Sequence, residues 1–282
     1  MTATVSILGA GDIAGAVAHA LARRESASRV LLVDASGKAA AGKALDIQQS
    51  GPIDRFHTRL DGTDDETRIV GSAVCVVADR FGQAAAEWRG DEGLAYLSRL
   101  RTYIGDAVVV FAGASQSHLL TQAVTEASYR RERIVGSAPE ALAAAIRSIV
   151  AMEARCSPAE VQLTVLGAPP DLVVPWSEAS IGGYALERVF SPVQVTRIQN
   201  RSARLWPPGP YTLGLAAAIA TEAAIHASRR ALSLLTVLGG EFGVRNRAGA
   251  LPVLLASSGI VHTRVPSLSV RERVLVETAL GG

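Results

Sequence analysis

Two glycines and a distant carboxylate are the residues best spaced to do chemistry in this chain. Gly9-Ala10-Gly11-Asp12-Ile13-Ala14 follows the apolar run Val5-Ser6-Ile7-Leu8, and the next apolar run, Arg29-Val30-Leu31-Leu32-Val33, ends on Asp34. Each small residue of this Gly-x-Gly-x-x-Ala pattern has a task. Gly9 permits a tight turn off a strand, Gly11 lets a ligand approach the backbone, and Ala14 lets helix and strand pack closely. The amides that open the following helix, at Asp12 and Ile13, carry the positive end of its dipole, which suits a pyrophosphate. Asp34 lies about twenty residues past Ala14, where a carboxylate accepts hydrogen bonds from a ribose 2′-hydroxyl and disfavours a 2′-phosphate. Gly9, Gly11, Asp12, Ile13 and Asp34 are therefore the expected binding set for an adenine dinucleotide.

Such a set works only on a strand–turn–helix–strand frame, and the rest of the chain supplies one. Apolar runs of strand length recur at 5–8, 29–33, 68–70, 73–77, 107–111 and 133–135, with helical patterns at 11–24, 38–49, 91–102 and 117–128 between most of them. That alternation predicts a parallel sheet covered on both faces. The character changes near Ser137. A long helix is expected over 140–154, and Ser157-Pro158-Ala159-Glu160 reads as a helix start. Strands at 161–166 and 172–176 follow, then helices at 193–205 and 211–232. Antiparallel strands at 236–238, 253–255 and 259–262 precede a closing helix at 269–280. The expected class is α/β: a Rossmann-type doubly wound parallel sheet over 1–138, then an α+β domain with an antiparallel sheet over 139–282.

Composition narrows the function. The 282 residues are 49% apolar and 19% charged, as a globular protein requires, and the net charge of +2 is close to neutral for this size. Lys38 and Lys43 are the only lysines, and the arginines are scattered rather than gathered into a stripe, so no nucleic-acid surface is expected. Cys75 and Cys156 are too far apart for a metal motif, and His226, one turn after Glu222, finds no third ligand, so no metal is expected. The N-terminus passes straight into a strand without a basic leader, and the longest apolar segment, 213–238, carries Glu222, His226, Arg229 and Arg230. A cytoplasmic protein that does not insert in membranes is the expectation.

The order of motifs resembles the lactate/malate dehydrogenase family along nearly the whole chain. Beyond the glycine turn the resemblance rests on Gly42-Lys43-Ala44-Leu45-Asp46, Gly62-Thr63-Asp64-Asp65, Arg133-Ile134-Val135-Gly136, Val165-Leu166-Gly167 and the Gly182 region. Near the end it rests on Gly240-Glu241-Phe242-Gly243-Val244, Leu251-Pro252-Val253-Leu254-Leu255 and Gly259-Ile260. It implies a dinucleotide domain with NAD as cofactor, an α+β substrate domain, and assembly as a homo-oligomer, a dimer or a tetramer.

The resemblance stops at the reaction. Where the family places its proton-relay histidine this sequence has Pro169, within Ala168-Pro169-Pro170-Asp171. The aspartate that orients the histidine falls on Leu142, and the arginine that clamps the substrate falls on Ala145. Arg147 is two residues further along a helix, about 200° around its axis, and faces away. The Thr-Asn-Pro segment becomes Gly113-Ala114-Ser115, and Thr-Ala-Gly becomes Ala78-Asp79-Arg80, which brings a carboxylate and a bulky side chain into the cofactor channel. Of the mobile loop's two arginines one has a counterpart, Arg89 in the stretch 81–89, a candidate for binding an anion. No catalytic residue is assigned. The expected function is an NAD(H)-binding protein with a degenerate hydride-transfer site, acting as a cofactor sensor or partner subunit. Two alternatives stand beside it. One is an NAD-dependent oxidoreductase with another hydroxy or oxo substrate that uses Asp171, His118 or Arg89. The other is a structural or interaction protein with no cofactor.

Overall fold

The structure, a computed structural model, describes residues 3–82 and 86–281. Short apolar runs form its central strands, buried on both faces because helices cover both sides. The parallel strands, with β3 at the edge, are β1 (Thr4–Leu8), β2 (Arg29–Val33), β3 (Arg59–Thr63), β4 (Val74–Val77), β5 (Val108–Phe111) and β6 (Ile134–Gly136). They run parallel in the order β3-β2-β1-β4-β5-β6. Chain direction across the sheet reverses between β1 and β4, the switch point at which ligands bind in open α/β sheets. The connecting helices are α1 (Asp12–Arg23), α2 (Gly37–Asp54), α3 (Gly90–Ile104) and α4 (Ser117–Thr125).

One expectation for this half is corrected. The run at 68–70 is not a strand. Asp65 caps a 3-10 turn over Glu66–Ile69 by accepting the Thr67 amide, and Ile69 alone of that turn is buried. The strand at this place in the sheet is β3, whose polar sequence Arg-Leu-Asp-Gly-Thr fits an edge, where one side faces water.

The second half begins with α5 (Ala138–Ala154), which is followed by β7 (Val161–Gln162), β8 (Leu166–Ala168), β9 (Asp171–Val173), β10 (Ser180–Ile181) and β11 (Tyr184–Ala185). Then come α6 (Leu186–Val189), α7 (Pro192–Ser202) and α8 (Pro210–His226), and after them β12 (Leu232–Gly239), β13 (Arg245–Ala256), β14 (Gly259–Thr263) and α9 (Val270–Gly281). The expected helix over 211–232 is shorter by its last turn and a half. Ala227 takes the left-handed conformation (φ 51°) and ends α8, and Leu232 opens β12.

The antiparallel strands β12, β13, β8, β9 and β14 continue the parallel sheet. Leu235 of β12 pairs antiparallel with Gly136 of β6, and the sheet runs on through β13, β8 and β9, with β14 on β13. Residue 138 thus lies just past a strand of a continuous sheet. Strands β7, β10 and β11 make a small separate one. Helix α8, rich in alanine, lies on α1. At Gly214 a Cβ would stand 2.4 Å from the Ala16 Cβ and 3.0 Å from the Ile13 carbonyl oxygen, so the two backbones meet with almost nothing between them. Among the described residues no helix is long and apolar enough to cross a membrane.

Candidate functional site

The chain leaves β1 at Leu8 and turns at Gly9, whose φ of 133° suits glycine and where a Cβ would stand 2.2 Å from the Asp79 carbonyl oxygen. The Gly11 amide donates to that same carbonyl at 2.9 Å. The residues that follow β4 therefore lie directly on the glycine turn. A Cβ on Gly11 would fall 2.3 Å from Asp79 Cγ, so the hollow that glycine leaves is filled by a carboxylate. That carboxylate takes the first free amides of α1: Ile13 donates to Asp79 Oδ2 at 3.1 Å and Ala14 to Oδ1 at 2.9 Å. Asp79 is only 7% exposed. An anion here is stabilised by two charge-assisted hydrogen bonds and by the helix dipole.

A second carboxylate repeats the arrangement beyond β5. Glu87, 9% exposed, accepts the Ala114 amide at 3.0 Å and the Ser115 amide at 2.7 Å. A Cβ on Gly113 would lie 2.4 Å from its Cδ. Asp79 and Glu87 also face each other in an antiparallel bridge, and the Arg80 amide donates to the Ala86 carbonyl at 3.0 Å. The flanks Asp79–Gly82 and Ala86–Glu87 thus run side by side as a tongue. Its outer residues Phe81 and Gly82 are exposed, and 83–85, part of the stretch compared above with a mobile loop, lie outside the described residues. Arg80 reaches Glu92 at 2.6 Å, and its guanidinium lies 4.6 Å over the Trp88 ring, which stacks on Tyr96 at 4.0 Å and 6°. Burial pushes the Tyr96 phenol above its ordinary range, so it stays neutral.

Asp34 is 8% exposed and accepts three backbone amides. Its Oδ2 accepts the amides of Ala10 at 3.1 Å and Phe81 at 3.0 Å, and its Oδ1 that of Ser36 at 2.8 Å. Lys43 Nζ donates to the Gly11 carbonyl at 2.6 Å. A cavity of about 490 Å³ remains between Gly11–Ile13, Asp79, Glu87 and Ser115 on one side and Pro207, Pro208, Pro210 and Leu213 on the other.

The expected binding residues are therefore brought together. Gly9, Gly11, Ile13 and Asp34 surround the turn, and Asp12 stands exposed at the cavity wall. Arg89 is exposed at the N-cap of α3 and is not part of that wall. Glu87 and Lys43 went unassigned from the sequence, although Gly113 directly after β5 marks a place where something approaches the backbone. A pyrophosphate on α1 needs the Ile13 amide, and Asp79 holds it. As placed, the tongue and a pyrophosphate exclude each other, because two anions would share one set of donors.

In the second half the positions matched to the reaction hold no titratable group. Pro169 and Pro170 are joined by a cis peptide bond between β8 and β9. Leu142 is 5% exposed within the apolar cluster of α5 and α7, and Ala145 is half-buried. Arg147 turns to the buried Glu140, with Nη2 and Oε1 2.5 Å apart, and Glu140 also accepts the Ser233 amide at 2.8 Å.

Known proteins place this arrangement. Residues 3–91 match the family model described as lactate/malate dehydrogenase, NAD binding domain. A malate dehydrogenase of Salinibacter ruber is 26% identical, over 98% of this chain and 93% of its own. A solved malate dehydrogenase structure from Salinibacter ruber superposes with a TM-score of 0.87 at 24% identity, over 99% of this chain and 94% of that one. A Cryptosporidium parvum lactate dehydrogenase, solved with lactic acid and nicotinamide adenine dinucleotide, has a TM-score of 0.89 at 19% identity, over 99% of this chain and 95% of its own. At these identities the solved structures establish the fold.

Proposed function

We propose that the chain, whose residues 3–91 match the NAD-binding domain of the lactate/malate dehydrogenase family, is a member of that family that responds to NAD(H) without carrying out its hydride transfer. Reduction of a 2-oxo acid requires a proton donor at the developing alkoxide, a cation on the carboxylate and a polar group on the carbonyl. The observation that carries the reading is the set of side chains at those positions. Pro169 cannot titrate, Leu142 is sealed in an apolar cluster, and Ala145 cannot grip a carboxylate. Glu87 adds a negative charge against Ala114 and Ser115, where the family's amide is replaced. Loss of a general acid alone costs about 10²–10⁴-fold in rate, and alanine does not replace a bidentate arginine.

The role that remains is to sense the cofactor or to serve as a subunit. The decisive experiment follows NADH absorbance with oxaloacetate and pyruvate alongside thermal stability with NADH. The expected result is no turnover and a raised melting temperature; clear turnover with either acid would overturn the reading. A second reading, a protein without cofactor, is favoured by one observation: Asp34 spends both oxygens on the chain's own amides. No stabilisation by NADH, NADPH or ADP-ribose would select it.

A further inference from the structure

Two separate pairs of consecutive amides at the mouth of the sheet, Ile13–Ala14 and Ala114–Ser115, each hold one carboxylate from the same short stretch of chain. Paired amides of this kind, the first at a helix N-terminus, are anion sites. Both carboxylates are at least nine-tenths buried, and each fills the hollow beside a glycine, Gly11 or Gly113. The third contact is at Asp34, the acid expected to meet a ribose, which instead accepts the Phe81 amide at 3.0 Å. A single segment therefore occupies the phosphate end, the ribose acid and the far end of the groove at once. We propose that the two flanks Asp79–Gly82 and Ala86–Arg89 are the groove's own occupant, with Asp79 and Glu87 standing in for phosphate oxygens, and that a dinucleotide enters only by driving them out. The proposal rests on the reading that a nucleotide is the external ligand.

The rest of the segment is built to leave. Its outer residues are exposed, and Gly82 (φ 85°) and Gly90 (φ 55°) stand near its tip and at its end, where a Cβ would meet nothing within 4 Å. Its remaining fastenings are a short backbone bridge, the Arg80–Glu92 ion pair, whose glutamate is largely exposed, and the stack of Arg80 on Trp88 on Tyr96. On departure both carboxylates regain water, which offsets part of the four amide hydrogen bonds they give up. Two contacts of the frame do not involve the tongue's side chains, Lys43 on the Gly11 carbonyl and the seam of α1 with α8. A closed majority lowers apparent affinity by the fraction of molecules that are open. The ligand signal is then the tongue's release, which unstacks Trp88.

The test uses the full chain, with calorimetric binding and thermal stability measured against pyrophosphate, ADP-ribose and NADH. Asp79→Ser should bind ADP-ribose and NADH at least tenfold more tightly than the unaltered protein and should gain stabilisation by pyrophosphate. Glu87→Gln, which leaves α1 untouched, should tighten NADH in the same direction and covers the case in which Asp79→Ser folds poorly. Without any change at either carboxylate, ADP-ribose at saturation should alter tryptophan emission, and Trp88→Phe should abolish that change. Equal affinity in the unaltered protein and both variants overturns the proposal and leaves NADH binding standing. Binding of pyrophosphate and ADP-ribose by Asp79→Ser without NADH keeps the tongue and removes the NADH reading. No binding of any anion by either variant overturns both.

Discussion

At the scale of single residues, the glycines that mark a nucleotide cradle also make room for the chain itself. What a new methyl group would meet differs between them, and the difference decides the cost. At Gly9 it meets the Asp79 backbone carbonyl at 2.2 Å, on a φ of 133°; at Gly11 it meets the Asp79 carboxylate at 2.3 Å, the end of a side chain that can swing away. Gly9→Ala should therefore cost about 3 kcal/mol or more, with strain and overpacking together. Gly11→Ala should cost about 1–2 kcal/mol, the value of a lost helix cap, because it evicts Asp79. Urea unfolding of the two variants checks the order. Asp34 presents a related case. Its two oxygens hold the Ala10, Ser36 and Phe81 amides, so Asp34→Ala should lower stability by about 1–3 kcal/mol even with no ligand present. An acid that served a ribose alone would leave the ligand-free melting temperature unchanged. The position of Asp34 was legible in the sequence because a strand ending on an acid has a fixed distance from the turn. Its partners were not, since Phe81 lies 47 residues away and reaches it only through the fold. Asp79 was recognised as a carboxylate entering the channel, but not as a ligand for amides, because nothing local says which way a side chain after a strand will turn.

At the scale of elements, the parallel strands were readable because both of their faces are buried and their apolar runs are unbroken. Edge strand β3 was not, since Arg59-Leu60-Asp61-Gly62-Thr63 carries no apolar run and is held by its pairing with β2. Helix ends were legible where a cap sits in the sequence. Ser269 and Glu272 form such a signal at α9: the Ser269 Oγ accepts the Glu272 amide at 3.3 Å, and Glu272 accepts the Ser269 amide at 3.1 Å. Glu272 also ties α9 to the rest of the chain by accepting the amide of Ser177 at 3.0 Å and its hydroxyl at 2.6 Å. Partial burial raises its pKa, but hydrogen bonds from Ser177 and Ser269 outweigh that and hold the carboxyl below its ordinary 4.5. A folded-state pKa depressed in this way adds stability above the unfolded value, and that stability is lost as pH falls through the folded value. The stability margin of the unaltered protein over Glu272→Gln should therefore be constant near neutrality and shrink below about pH 4.5. Denaturant titrations at pH 7, 5 and 3.5 measure it; a margin that does not shrink would mean that the carboxylate contributes no charge-dependent stability.

At the scale of the whole molecule, the division between a parallel and an antiparallel half is real in strand direction but not in hydrogen bonding, because β6 and β12 join the two into one sheet. That continuity was not visible in sequence, where Gly136 and Leu235 are far apart and each reads as the end of something local. The contact of α8 with α1 binds the halves a second time. Gly214→Ala would set a methyl 2.4 Å from the Ala16 Cβ and should cost about 1–3 kcal/mol, read as a fall in melting temperature. This close helix seam also bears on how such a chain can change over generations. A methyl gained at Gly214 would pry the two helices apart, so change over generations at that one position is confined to glycine.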